Sequence, residues 1–200
     1  MKKTNVLKAI FVASLDKKVT PARLSQALDV SELELEKGLG SLKKEGLVRT
    51  GGTGVRLTPK GRQKLRVVFI GGTFEVIHPG HLYTIQEAKK LGDVLVVVVA
   101  RDATVRRMKK REPLAPEERR VEVVGAIKPV DVAILGSETN IYDTLERVRP
   151  DVVALGYDQY HREQEVQREA KKRGIELSVV RLGSLDPSLK TSKILAQLGS

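Results

Sequence analysis

Residues 65–81 read LRVVFIGGTFEVIHPGH. Val67 to Ile70 form an unbroken apolar run without the polar alternation of a half-exposed strand, so the run predicts a strand covered on both faces. Pro79 suits the first turn of a helix, where one N–H has no partner in any case. The stretch is therefore a strand-to-helix junction, with paired glycines closing the strand and His78 and His81 at the start of the helix. Working outward, VLVVVVA (94–100), VAILG (132–136), VVALG (152–156) and ELSVVRL (176–182) repeat the apolar pattern. Helix-like segments near 80–91, 116–127, 140–148 and 162–173 separate them. Strands alternating with helices predict an α/β fold, a doubly wound parallel sheet with crossover helices. Ligands of such sheets bind beyond the carboxyl ends of the strands, which is where the quoted stretch lies.

The junction suits a phosphate. Gly71 and Gly72 permit close backbone approach, and Gly80 leaves room above a helix N-terminus whose unpaired N–H groups and dipole favour anions. His78 and His81 border the same space. A helix N-terminus disfavours imidazolium, so both rings are expected to be neutral, each offering an N–H to a phosphate oxygen. The competing reading makes them polar surface or capping residues. A metal pair is disfavoured because the chain has no cysteine and His161 is its one other histidine.

Composition and charge define the setting. The absence of cysteine excludes a disulfide framework, thiolate metal sites and thiol catalysis. The longest apolar stretch, VLVVVVA, falls far short of the roughly 20 residues of a membrane span, and MKKTNVLKAI lacks a leader pattern. A cytoplasmic protein with no membrane association is expected. The net charge of +11 is uneven: residues 1–66 carry 15 Lys or Arg against 6 Asp or Glu, and residues 67–200 carry 21 against 19. Such asymmetry predicts two domains, 1–65 and 66–200, the first of which meets a polyanion. In the first, Val6 with Ile10 and Leu7 with Phe11 mark one helix. Thr20-Pro21 opens a second, and the capping box Ser31-Glu32-Leu33-Glu34 opens a third that Gly46 ends. LVRT and VRL flank the turn GGTG as a hairpin, and Thr58-Pro59 caps a short helix.

This order resembles a winged helix-turn-helix, which implies duplex DNA as a partner, with Lys43, Lys44, Arg49 and Arg56 reaching phosphates. Glu32, Glu34 and Glu36 in the first half of the third helix oppose entry of that half into a major groove. A dimerisation or packing module is the alternative. In the second domain GTFEVIHPGH resembles the GTFDxxHxGH signature of the HxGH nucleotidyltransferase superfamily, whose fold is Rossmann-like. Further segments match cytidylyltransferase-like members across nearly all of residues 66–195. VVARD, REPLAPEERR, KPVDVAILGS and LGYDQ are most similar to the archaeal-type FAD synthases, which adenylylate FMN with ATP. Glu75 departs from the usual aspartate, and LKTSKI is closer to the ending of cytidylyltransferases that act on glycerol 3-phosphate or phosphocholine.

The resemblance implies a set of roles. His78 and His81 lie at the α- and β-phosphates, with Gly72, Thr73, Phe74 and Gly80 around the nucleotide. Arg120, the arginine that follows the PEE segment, is either a catalytic residue facing phosphate or a surface residue of an amphipathic helix, and Gly156 and Asp158 of GYDQ lie at the ribose or base, unless Asp158 only forms a turn. Thr191 and Ser192 either cap a C-terminal helix or present donors to phosphate. Lys109, Lys110 and Arg111 of RRMKKR are either a mobile basic loop that neutralises pyrophosphate or a solvated helix end. Mg²⁺ bridging the phosphates, ATP as substrate with CTP as the alternative, and a homodimer complete the expectation. A nucleotide-sensing regulator is the second functional class.

Overall fold

The structure, a computed structural model, describes residues 2–15, 19–52, 54–184 and 194 of the chain. Two compact units are present, Met1–Arg66 and Val67–Ser200.

The first unit orders α1 (Lys3–Ser14), α2 (Pro21–Leu28), α3 (Glu32–Lys44), β1 (Val48–Gly51), β2 (Gly54–Leu57) and α4 (Pro59–Arg62). Each predicted cap is made. Thr20 accepts from the Arg23 N–H, Ser31 from that of Glu34 and Thr58 from that of Gly61. Gly46, at φ +71°, turns the chain out of α3. Val6, Leu7, Ile10 and Phe11 of α1 pack in one core with Leu24, Leu35, Leu39 and Leu42. The antiparallel hairpin pairs Arg49 directly with Arg56, and the Val55 N–H donates to the Val19 carbonyl at 3.0 Å, tying the residue before the α2 cap to β2. Arg49, Arg56, Lys43 and Lys44 are all exposed.

The second unit contains β3 (Val67–Gly72), α5 (Pro79–Lys89), β4 (Val94–Val99), α6 (Asp102–Lys109), α7 (Glu117–Gly125), β5 (Val132–Leu135), α8 (Ile141–Val148), β6 (Val152–Leu155), α9 (Glu163–Lys172) and β7 (Ser178–Arg181). All five strands are parallel in the order β5-β4-β3-β6-β7, the Rossmann-like α/β sheet expected from the alternation. Every residue of β4 is buried, as an unbroken valine-rich run in a doubly covered sheet requires. Helix α6 was not among the expected helices. Its sequence DATVRRMK buries only Val105, so it shows almost no apolar periodicity.

The chain enters the sheet at β3, builds outward to β5, then returns to add β6 and β7 on the other side. The switch point therefore lies between β3 and β6. Strand β3 pairs with β4 from Val67↔Val94 to Gly72↔Val99, but with β6 only at Val68↔Val152 and Phe69↔Val153. Beyond Phe69 the two strands separate, and the crevice between them opens at their carboxyl ends. No helix among the described residues is long and apolar enough to cross a membrane.

Candidate active site

The β3 side of the crevice is shaped by residues 72–81. Phe74 takes a left-handed backbone (φ +51°) and turns its ring back under the loop, where it is 6% exposed. That conformation costs a non-glycine residue about 1–3 kcal/mol, offset here by burial of the ring. A Cβ on Gly72 would lie 2.9 Å from the Phe74 ring, so glycine is required there to admit the phenylalanine. A Cβ on Gly71 would meet only ordinary protein contacts at 3.8 Å, so no protein neighbour demands glycine there. The Phe74 side chain, expected beside the nucleotide, is turned into the core and packs toward His81. Its ring centroid lies 5.2 Å from that of His81.

His78 is the N-cap residue of α5, but its side chain makes no capping bond, which removes the capping alternative. The His78 and His81 rings are 4.0 Å apart, and each holds a buried Nδ1 with no hydrogen-bond partner. Burial lowers the pKa of His78 against the opposing pull of Asp158. Burial, reinforced by His78, pushes His81 down to about 4. The Val76 backbone and Asp158 favour the charged form of His81 without satisfying its Nδ1. Both rings are thus neutral at pH 7, adjacent, and incompletely bonded at a helix N-terminus. An orphaned buried polar atom costs about 1–3 kcal/mol unless something supplies a partner.

Glu75 organises the basic segment. Its side chain is fully buried, and its carboxylate receives Lys109 Nζ, Arg111 Nη1 at 2.7 Å, Arg111 Nη2 at 3.2 Å and the Leu114 N–H at 3.3 Å. Burial alone would raise the Glu75 pKa, but the hydrogen bonds from Arg111 and Lys109 outweigh it and hold the carboxyl below its ordinary value. Lys109 also reaches Thr73 Oγ1 at 3.1 Å. Lys109 and Arg111 are therefore drawn to the GTFE loop, whereas Lys110, the left-handed residue that ends α6, is exposed.

Arg120 was expected to face phosphate. The structure instead buries it to 2% exposure and directs its guanidinium at protein oxygens: Thr73 O at 2.6 Å, Asp102 Oδ1 at 2.6 Å and Ala115 O at 3.0 Å. It is a positioning residue, tying α7 to the loop that carries Thr73. Beside it, Glu117 accepts from Arg101 Nη1 at 2.5 Å and from the Asp102 N–H at 2.6 Å. The ARD and PEER segments thus interlock. Arg101, Asp102 and Glu117 were missed as a unit because neither segment shows its partner.

The β6 side carries Gly156 and Asp158, and Asp158 acts electrostatically on both histidines. Gln159, also missed, spans the crevice. Its Nε2 donates to Gly71 O at 2.6 Å and its Oε1 accepts from the Gly156 N–H at 3.2 Å. This joins the ends of β3 and β6 where their ladder has stopped. Thr191 and Ser192 lie outside the described residues. Among the described residues no group of three or more His, Cys, Asp or Glu could hold a metal ion.

The site is thus a switch-point crevice with a neutral histidine pair at a helix N-terminus, cations beside it and an acidic residue opposite. Comparison with known proteins agrees. The sequence profile of the family described as Cytidylyltransferase-like matches residues 69–196. An FAD synthase of Ferroglobus placidus is 52% identical over 118 residues, covering 59% of this chain and 76% of its own. An FAD synthase of Methanothermus fervidus is 47% identical over 135 residues, covering 64% of this chain and 92% of its own. A solved structure, a lipopolysaccharide core biosynthesis protein from Thermoplasma volcanium, is 42% identical with a TM-score of 0.59, covering 61% of this chain and 99% of its own. The chain belongs to the cytidylyltransferase-like family. It is an enzyme, a nucleotidyltransferase.

Proposed function

We propose that the protein is an FAD synthase, transferring the adenylyl group of ATP to FMN. A phosphate oxygen of FMN attacks the α-phosphorus of ATP. The new P–O bond forms as the bond from the α-phosphorus to the α,β-bridging oxygen breaks, and pyrophosphate leaves with the electron pair. FMN is a phosphate monoester, largely dianionic at neutral pH, so the nucleophile needs no general base. What the protein must supply is placement and charge stabilisation. Neutral His78 and His81 are matched to that task, because an uncharged N–H donor can face the α- and β-phosphates beside the α5 N-terminus without mutual repulsion. Lys109, drawn to Thr73, and Arg111, held by Glu75, are cations at the loop and take the charge of the leaving pyrophosphate. Asp158 and Gly156 lie at the ribose. Among the described residues no acidic cluster would hold Mg²⁺, which, when bound with the triphosphate, would offset part of its charge.

The observation that carries the reaction is the neutral, incompletely bonded histidine pair at the crevice. The choice of FMN and ATP rests on the FAD synthase relatives. Incubation of ATP or CTP with FMN, glycerol 3-phosphate or phosphocholine, with pyrophosphate measured, tests it. Release is expected only with ATP plus FMN. Release with CTP plus glycerol 3-phosphate, and none with FMN, assigns the protein to the cytidylyltransferases instead.

A second activity is favoured by one observation in the first unit, the opposition of exposed Arg49 and Arg56 across the hairpin. Like charges facing each other across a ladder are destabilising, and a polyanion relieves that repulsion. This unit is accordingly read as a winged helix that contacts duplex DNA, in a protein that acts as a homodimer.

A further inference from the structure

FMN has a planar tricyclic ring as well as a phosphate, and the crevice as described so far accounts only for phosphates and sugar. The chain is poor in material for holding such a ring, with no tryptophan, four tyrosines and three phenylalanines. Within the second unit, Phe69 and Phe74 are buried in the core, and the Tyr142 ring carries the Arg173 guanidinium at 4.8 Å. Tyr83 and Tyr157 are half-buried. Tyr160 differs from all of these. At 69% it is the most exposed of the large apolar residues described, and its ring lies against that of His161, tilted by 33° with centroids 4.1 Å apart.

The loop that presents this pair is fixed. Arg181, at the end of β7, donates to Gly156 O at 2.9 Å, Gln159 O at 3.1 Å and His161 O at 2.6 Å, and it also pairs with Glu163. One guanidinium therefore holds three carbonyls of residues 156–161 together. The same loop places Asp158 where its charge acts on His78 and His81, and Gln159 where it bridges to Gly71. The Tyr160–His161 pair follows that bridge directly in the chain, on the same loop that Arg181 holds. Burial holds His161 below its ordinary pKa, which leaves a neutral imidazole behind the tyrosine at pH 7. The result is a flat, uncharged, electron-rich face anchored by its own backing ring.

We propose that Tyr160, backed by His161, is the stacking platform for the isoalloxazine ring of the acceptor FMN. The proposal rests on the FAD synthase reading and extends it to the ring. The ribityl chain separates ring from phosphate, so the ring can lie on this loop while the phosphate enters among the histidines. An exposed position suits a large tricycle, whereas an adenine held for transfer calls for deeper enclosure. Stacking of an electron-poor heteroaromatic on a tyrosine face is favourable beyond the area it covers.

Flavin fluorescence gives a direct test, because a stacked tyrosine quenches it. In the full-length protein, FMN is titrated against wild type, Tyr160→Ala, Tyr160→Leu and Tyr160→Phe, and a non-hydrolysable ATP analogue is titrated in parallel. Alanine and leucine are expected to weaken FMN binding roughly tenfold or more and to lose the quenching, by analogy with the loss of base–aromatic stacks. Phenylalanine should restore the affinity, read by equilibrium dialysis, but not the quenching, because its ring is too hard to oxidise to donate an electron to the excited flavin, and the affinity for the ATP analogue should not change. Unaltered FMN affinity in both alanine and leucine variants overturns the proposal. So does weakened binding of the ATP analogue in place of FMN, which would make the platform an adenine site. If wild type neither binds nor adenylylates FMN, the functional reading itself fails. If it turns FMN over and Tyr160 proves indifferent, only the platform is lost.

Discussion

At the scale of single residues, the site depends on two histidines being neutral, and burial is what makes them so. Replacing His78 or His81 with alanine should lower turnover on the order of 10²- to 10³-fold with a much smaller change in nucleotide affinity, because a positioned donor acts mainly on charge that develops in the transition state. Steady-state kinetics with separate binding measurements check this, and unchanged turnover in both variants removes the pair from catalysis. The depressed pKa of His81 also links to stability. Between about 4 and the ordinary 6.5, the unfolded chain holds a proton on this histidine that the folded chain does not. The unfolded state thus binds more protons, so stability should rise with pH across that window and level off above it. Urea unfolding from pH 4 to 7 should show this slope, and His81→Asn should reduce it, leaving the smaller part that the lowered pKa values of His78 and His161 contribute. The importance of the pair was legible in the sequence because both histidines, the proline and the glycines sit within one short stretch. The inward turn of Phe74 and the burial of Arg120 were not. A phenylalanine at positive φ and an arginine at 2% exposure depend on Gly72, Thr73 and Asp102 in three dimensions, and residue type points the other way for both.

At the scale of elements, the α6–α7 connection is fastened to the β3–α5 loop by one carboxylate. Glu75→Gln would leave Lys109 and Arg111 without their buried counter-charge. Because those two side chains keep 31% and 35% of their exposure, the loss should be about 1–3 kcal/mol, less than the ~3–5 of a fully buried pair. Chemical denaturation gives that figure. Kinetically, the variant should lose kcat more than affinity for FMN, since its effect falls on cations placed for the leaving group, and Glu75→Asp should recover part of it. An unaltered kcat would show that the latch is structural only. The five parallel strands could be read from sequence because their apolar runs are continuous and separated by helix-length segments. Helix α6 could not, since a helix that buries a single valine has no stripe to detect. Nor could the Gln159 bridge be anticipated, because it joins residues 88 positions apart whose proximity exists only once the sheet is assembled.

At the scale of the whole molecule, charge separates the two units, and their activities should be separable too. If the first unit binds duplex DNA through Lys43, Lys44, Arg49 and Arg56, the logarithm of affinity should fall with the logarithm of salt by about 0.9 per phosphate contact. The full-length Arg49→Glu, Arg56→Glu double variant should bind all sequences more weakly and show a shallower slope by about two contacts, with transferase activity unchanged. An absence of DNA binding by wild type at low salt would leave the basic unit as a packing or dimerisation element. The enzyme itself is tested most directly by following ATP labelled at its α-phosphorus in the presence of FMN. In wild type the label should move into FAD in equal amount with pyrophosphate released, and in the His78→Ala, His81→Ala double variant that transfer should nearly vanish while the labelled ATP still binds. Label that never enters a flavin product, or that enters it equally well without the two histidines, would contradict the account.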